Sequence, residues 1–273
     1  MAQTILITGA SSGIGKVTAK LFQEKGWNVI ATMRSPDKDQ DLSQLDNVLV
    51  TRLDVTDEAS IAEAVAAGIA TFGKIDVLLN NAGYGAYGPL EAFPMDAIRR
   101  QFDTNVIGLL ATTKAVLPHM RGNGAGTIVN ISSIGGQMTF PLGALYHGTK
   151  FAVEGISESL HFELAAAGIK TKIIEPGMIA TDFGGRSFDF TNDEAMTEYQ
   201  PVVQALLGSW GENAQASEPI VVAEAIWTAV TDGLDTLRYR AGPDAVALLD
   251  NRKALDDATF IGGLKAQLGL DKL

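Results

Sequence analysis

Thr4-Ile5-Leu6-Ile7-Thr8-Gly9-Ala10-Ser11-Ser12-Gly13-Ile14-Gly15 decides the fold of this chain. A short apolar run is followed at once by three glycines spaced GxxxGxG, and then by a helical pattern that carries Val17, Leu21 and Phe22 to a stop at Gly26. Glycines at a strand-to-helix turn let the backbone approach a pyrophosphate, which the free amides and dipole of the helix N-terminus then bind. No Lys-Ser/Thr pair follows the last glycine, so the loop is not of the Walker type. A glycine turn of this kind is common by itself, and its meaning depends on what surrounds it.

Working outward, apolar runs recur at 28–33, 48–53, 75–79, 126–131, 170–174 and 237–241, which with 3–8 makes about seven strands. Helical patterns fall between them, at 56–72, 95–119, 146–166 and 219–230, with more helix after 245. Strands that are apolar throughout and alternate with helices imply a parallel sheet covered on both faces. The expectation is an α/β protein, one doubly wound (Rossmann) domain over 1–273, whose ligands lie beyond the carboxyl ends of the strands. The suggestive clusters all fall at such ends: the glycine loop after the first strand, Asn80-Asn81-Ala82-Gly83 after the fourth, Ser133 after the fifth and Pro176-Gly177 after the sixth.

Composition narrows the chemistry. A net charge of −11 argues against nucleic acid and anionic membrane as partners. With no cysteine there is no disulfide or thiolate chemistry, and the three histidines, His119, His147 and His161, have no metal-binding spacing, so no metal is expected. The chain enters an apolar strand at once, without a basic leader or a membrane-length span, so a soluble cytoplasmic protein is expected.

Tyr146 and Lys150 stand four apart in a helical pattern and so share one face. A tyrosine four residues from a lysine often means only a surface phenol and a solvated ammonium. Beside a cation, however, a phenol is expected to titrate below its usual value near 10 and to serve as a general acid or base. The end of the second strand, where a dinucleotide fold meets the adenosine ribose, carries Met33-Arg34 in place of a carboxylate. Arginine there accommodates a 2′-phosphate, so NADP(H) is expected over NAD(H). Asp37, the rival for the ribose, lies past Ser35-Pro36 and is expected to turn away.

Taken together, Thr8-Gly-Ala-Ser-Ser-Gly-Ile-Gly15, Asp54-Val55, Asn80-Asn-Ala-Gly83, Asn105, Ile131-Ser-Ser133, Tyr146-x-x-x-Lys150 and Pro176-Gly177 with Thr181 resemble the short-chain dehydrogenase/reductase family, compact branch, over about residues 1–181. Residues 146–182 also resemble carbonyl reductases and hydroxysteroid- or retinol-type dehydrogenases of that family. The resemblance implies a catalytic tetrad of Asn105, Ser133, Tyr146 and Lys150, with Ser133 chosen over Ser132 for its distance from the tyrosine. It implies cofactor contacts from Gly9, Ser11, Ser12, Gly13, Ile14, Gly15, Arg34, Asp54, Val55, Asn81, Ala82, Gly83, Tyr146, Lys150, Pro176, Gly177, Ile179 and Thr181. Tyr146 would move the proton, Ser133 would bind the carbonyl oxygen and Lys150 would lower the tyrosine pKa and hold the ribose. Asn105 would hold a water through its backbone. Ser12 occupies a position that is basic in some NADP-dependent members, which leaves phosphate selection to Arg34. Without the family, Asn105 reads as a helix kink or cap, Asp54 as a cap of the next helix, and His147 as a surface or packing residue.

The implied reaction interconverts a ketone or aldehyde with an alcohol. Gly135, Gly136, Gln137, Met138, Leu142 and Tyr84 are expected around the cleft, under a flap at about 180–217 that carries Phe183, Phe188, Phe190, Tyr199 and Trp210 with few fixed charges apart from Arg186. These aromatics read either as ordinary packing or as a flap that closes over a substrate, and the second reading implies a bulky, mostly apolar one. The helices at 95–119 and 146–166 match those that pair in oligomers of the family, so a homodimer or homotetramer is expected. An NADP(H)-binding sensor without catalysis is the alternative.

Overall fold

The structure, a computed structural model, describes residues 2–181, 187–212 and 216–271, with side chains omitted at 210–212. Seven parallel strands form one sheet in the order β3-β2-β1-β4-β6-β7-β9. They are β1 (Thr4–Ile7), β2 (Asn28–Met33), β3 (Val48–Arg52), β4 (Val77–Asn80), β6 (Gly126–Ile131), β7 (Ile169–Pro176) and β9 (Arg238–Ala241). All four residues of β1 and of β4 are buried, as strands covered on both faces must be. Strand order reverses at β1, so the chain leaves β1 and β4 in opposite directions and a crevice opens beyond their carboxyl ends.

Helices cover both faces. Leu6, Ile30, Leu78 and Ile128 point to the side of α2 (Glu58–Phe72), α4 (Gly108–Asn123) and α5 (Ala144–Ala165). Ile5, Ile7, Val29 and Leu79 point to the side of α1 (Gly13–Glu24) and α7 (Pro219–Thr231). This alternation follows from the two-residue period of a strand. Helix α2 shows why its ends fall where they do. Asp57 accepts the amides of Ala59 and Ser60 at its start, and Gly73, at φ 80°, closes it in the left-handed region.

Two elements differ from the sequence expectation. The helix expected over 95–119 is α3 (Met95–Phe102) followed by a π-helical segment, Asp103–Ile107, before α4 continues to Asn123. A second, two-stranded parallel sheet pairs β5 (Gly85–Tyr87) with β8 (Phe188–Phe190), bringing part of the flap region onto the chain that follows Gly83. Helix α6 (Gln200–Glu212) completes what is described of that region. After β9 the chain ends in α8 (Pro243–Ala254) and α9 (Asp257–Gln267). Among the described residues no helix is long and apolar enough to cross a membrane, and no three His, Asp or Glu side chains gather as a metal site.

Candidate active site

The glycine loop has the conformation its composition requires. Gly9 and Gly13 lie at φ 68° and 53°, where a side chain is strained. Gly15 has no room for one: a Cβ there would sit 2.4 Å from Gly9 O and 2.5 Å from Asn81 Nδ2. Ser12 precedes α1 in extended conformation with no side-chain capping bond, and the first turn carries no acidic residue. The first amides of α1 thus have no side-chain acceptor from their own cap, which suits a bound anion. Ile14 differs from its loop neighbours in packing its side chain against the core.

The turn after β4 is tied to this loop. Asn81 donates from Nδ2 to Thr8 O (2.9 Å) and Gly9 O (3.1 Å), while Thr8 Oγ1 accepts the Asn81 and Ala82 amides, each at 3.0 Å. Thr8 is therefore a structural part of the site that the sequence reading quoted only as the edge of a motif. Arg34 is exposed just past β2, and Asp37 is exposed in the short turn Pro36–Lys38 beyond it. Asp54 accepts from Thr56 N and Oγ1 in a tight turn. The capping of α2 belongs to Asp57 instead, which corrects the alternative reading of Asp54. Val55 is buried against Gly108. Pro176 ends β7, Gly177 N bonds Ala241 O, Ile179 pairs with Ser217, and Thr181 lies 3.5 Å from the position of a Gly13 Cβ. The predicted cofactor residues thus sit beyond the carboxyl ends of the sheet strands.

Ser133, Tyr146 and Lys150 come together at the end of β6. Ser133 Oγ accepts Gly135 N at 3.0 Å, and its hydroxyl acts on the Tyr146 phenol, drawing its pKa down. Lys150 Nζ donates to Ile131 O at 2.8 Å and stands 5.7 Å from the centre of the Tyr146 ring. The electrostatics differ from the sequence expectation. Burial pushes the Tyr146 phenol above its usual value, more than the Ser133 hydroxyl lowers it. The lysine is the group brought down, to about 8, because burial disfavours its charge more than Glu154 supports it.

Asn105 lies in the π-helical segment, and its side chain is a clamp. Oδ1 accepts Tyr84 N at 3.1 Å, and Nδ2 donates to Tyr84 O (2.8 Å) and Thr149 Oγ1 (3.1 Å). It joins the turn after β4 to the helix bearing Tyr146 and Lys150. An extra residue in a helical turn frees backbone groups, which is why such segments recur at functional sites. Neighbouring Asn80 and Asn130 face each other in register, with Asn80 Nδ2 donating to Asn130 Oδ1 and Thr113 Oγ1 at 2.9 Å and Asn130 Nδ2 to Ser157 Oγ at 2.8 Å. This buried chain of amides locks β4, β6, α4 and α5 behind the site.

Some residues expected around the cleft do not face it. The turn Ile134–Gly136 rotates successive side chains, so Met138 packs into the core with Ala245, Leu249 and Phe260, and Gln137 bonds Glu175. His147 is buried, which decides for packing over the surface, and it ties this turn together: Nδ1 bonds Gly135 O and Nε2 accepts Phe140 N, both at 3.0 Å. Tyr87, which the sequence reading passed over, lies 5.6 Å from Tyr146 and 5.5 Å from Phe188, ring centre to ring centre. Phe190 stacks on Phe188. Tyr199 bonds Glu91 at 2.9 Å. Phe183, Arg186 and the Trp210 side chain lie outside the described residues.

A doubly wound sheet with a glycine loop at β1 and a Ser-Tyr-Lys cluster at β6 defines the class of dinucleotide-dependent oxidoreductases. Residues 3–191 match the family model described as short chain dehydrogenase, and the chain belongs to that family. It is 45% identical to an uncharacterised oxidoreductase of Schizosaccharomyces pombe over 243 residues, covering 87% of this chain and all of the relative. It is 36% identical to human retinol dehydrogenase 8, covering 78% of this chain and 74% of that protein. The solved structure described as ElxO with NADP bound superimposes with a TM-score of 0.72 at 30% identity, covering 88% of this chain and 98% of the other.

Proposed function

We propose that this oxidoreductase uses NADP(H) to interconvert a bulky, mostly apolar ketone and its secondary alcohol. The observation that carries the reading is the convergence of Ser133, Tyr146 and Lys150 at the end of β6, with the Lys150 ammonium 5.7 Å from the centre of the Tyr146 ring. When bound, the cofactor supplies or accepts the hydride. Residues Gly9, Ser11, Ser12, Gly13, Ile14 and Gly15 would hold its pyrophosphate, and exposed Arg34 its 2′-phosphate. Asp54 and Val55 would flank the adenine. Asn81, Ala82, Gly83, Pro176, Gly177, Ile179 and Thr181 would line the rest of the cleft.

Tyr146 gives its proton to the carbonyl oxygen as negative charge develops there, or takes it back from an alcohol. Its raised pKa keeps it protonated at neutral pH, the state a donor needs. Ser133 stabilises the developing oxyanion, and Lys150 sets the local potential and would hold the ribose of the bound cofactor. Asn105 positions the turn at Tyr84 and supports proton relay from its backbone. The Tyr87–Phe188–Phe190 wall, next to Tyr146, supports an apolar substrate, as does similarity to a retinol dehydrogenase. Exposed Ile107, Phe151 and Phe162 on the helical face support a homodimer or homotetramer, to be checked by light scattering.

NADPH absorbance recorded against a panel of ketones tests the reading. Turnover of bulky apolar ketones is expected. NADPH binding without any carbonyl-dependent loss of absorbance would favour a sensor, and turnover of charged sugar substrates alone would refute the substrate class.

A further inference from the structure

Beneath Lys150 lies a second cluster of buried charge. Tyr146, Lys150 and Glu154 follow at one-turn intervals on α5 and share a face of it. Glu154 is 6% exposed. Arg238 on β9 donates from Nε to Glu154 Oε2 at 3.0 Å and from Nη2 to Glu158 Oε2 at 2.5 Å. The same Nε lies 3.6 Å from Oε1 of Glu175 on β7, which also accepts from Gln137. A cavity of about 750 Å³, lined among others by Gln137, Glu175, Arg238 and Arg240, reaches this cluster. Gly136 seals the other side: a Cβ there would meet Ser132 Oγ at 2.5 Å and Glu154 Cγ at 2.9 Å. The turn that begins at Ser133 therefore rests on Glu154.

The charges around Lys150 can be named element by element. On α5, Glu154 supports the ammonium, and His147 is held toward its neutral form by burial. From β5 comes the Tyr87 phenol, held protonated by burial, and from the π-helical segment the neutral Asn105. Arg99 and Arg100 of α3 are exposed and pair with Asp96 and Asp189. Glu154 is itself pushed up by burial. Ser132, which lies beside it without reaching full hydrogen-bond geometry, and Arg238 pull it back down, while the charge of Glu158 pushes it up. Glu175 is pushed to about 7 by burial and by Glu154, against Arg238, Arg240 and Gln137.

We propose that Glu154 is a positioning residue: anchored by Arg238, its carboxylate keeps the Lys150 ammonium charged beside Tyr146. This rests on the reading of Tyr146 and Lys150 as the proton-handling pair. Its test is the titration of Lys150 followed by NMR of lysine labelled at Cε, with Lys150→Arg to assign the signal, together with kcat/KM for ketone reduction from pH 6 to 10. Glu154→Gln, which keeps the acceptor for Arg238, should move the Lys150 titration down by about one pH unit. The alkaline limb of kcat/KM should move with it, giving about a tenfold loss at pH 9 and less than threefold at pH 6. Glu154→Asp should recover at least half of the shift, and it carries the test if the glutamine variant fails to fold. An unmoved Lys150 titration in both variants would overturn the inference, as would a uniform loss at every pH. A moved titration with an unchanged rate profile would support the electrostatic link while removing Lys150 from the chemistry.

Discussion

Gly15→Ala isolates the contribution of the phosphate loop. The added methyl would lie 2.4 Å from Gly9 O and 2.5 Å from Asn81 Nδ2, against an ordinary contact near 3.4 Å, so about 1 Å of movement must be found. Neither neighbour retreats freely. Asn81 is held by bonds to Thr8 O and Gly9 O, and a Cβ at Gly9 would meet Ala82 at 3.0 Å, so the two turns are already in contact. Overpacking of this kind costs about 1–3 kcal/mol of stability. If half of that strain has to be relieved to admit a pyrophosphate, NADPH affinity falls about twofold to tenfold, at 1.4 kcal/mol per factor of ten. Fluorescence titration of NADPH and urea unfolding measure the two effects. Gly262→Ala in α9 is the control, since a Cβ there meets nothing within 4 Å. It should gain about 0.5–1 kcal/mol of stability and leave NADPH binding unchanged. A Gly15→Ala protein that binds NADPH as tightly as the wild type would refute the reasoning.

Arg34→Ala should weaken NADPH binding by about tenfold to a hundredfold, as lost charge-assisted bonds to a phosphate imply, while changing NADH binding by less than threefold; equal effects would exclude Arg34 from cofactor choice. Because Glu175 is raised from its ordinary value to about 7, the folded state binds more protons than the unfolded between about pH 4.5 and 7, and stability falls as pH rises through that window. Glu175→Gln should therefore be more stable than wild type by about 2–3 kcal/mol at pH 8 and no more stable at pH 4.5, as chemical denaturation across pH would show. His147→Leu strands Gly135 O and Phe140 N and should lower unfolding free energy by about 2–4 kcal/mol; an unchanged urea midpoint would deny it that role.

The parallel sheet was legible because its strands are local apolar runs bounded by glycine or polar residues, and β1 to β4, β6 and β7 need no distant information to be seen. Ser133 was legible as a strand end at the shared edge of the sheet, and Tyr146 with Lys150 as a one-turn pair on a helix, but their meeting followed from the family resemblance. What was hidden depends on contacts far apart in sequence or on rotation of a turn. Strands β5 and β8 are three residues each and separated by a hundred positions, so neither carries a periodic signal alone. The π-helical segment at Asn105 leaves the apolar spacing of 95–119 almost intact. Met138 and Gln137 lie close to Ser133 in sequence, but the turn that precedes them sends one into the core and the other to Glu175. The direction of the Tyr146 shift depends on burial, which the spacing of a tyrosine and a lysine does not carry.

The proton-transfer role of Tyr146 is tested most directly by single-turnover reduction of a ketone with Tyr146→Phe loaded with NADPH. The account predicts a rate lower by about 10²–10⁴-fold at saturating NADPH. A rate within a few-fold of wild type would contradict it.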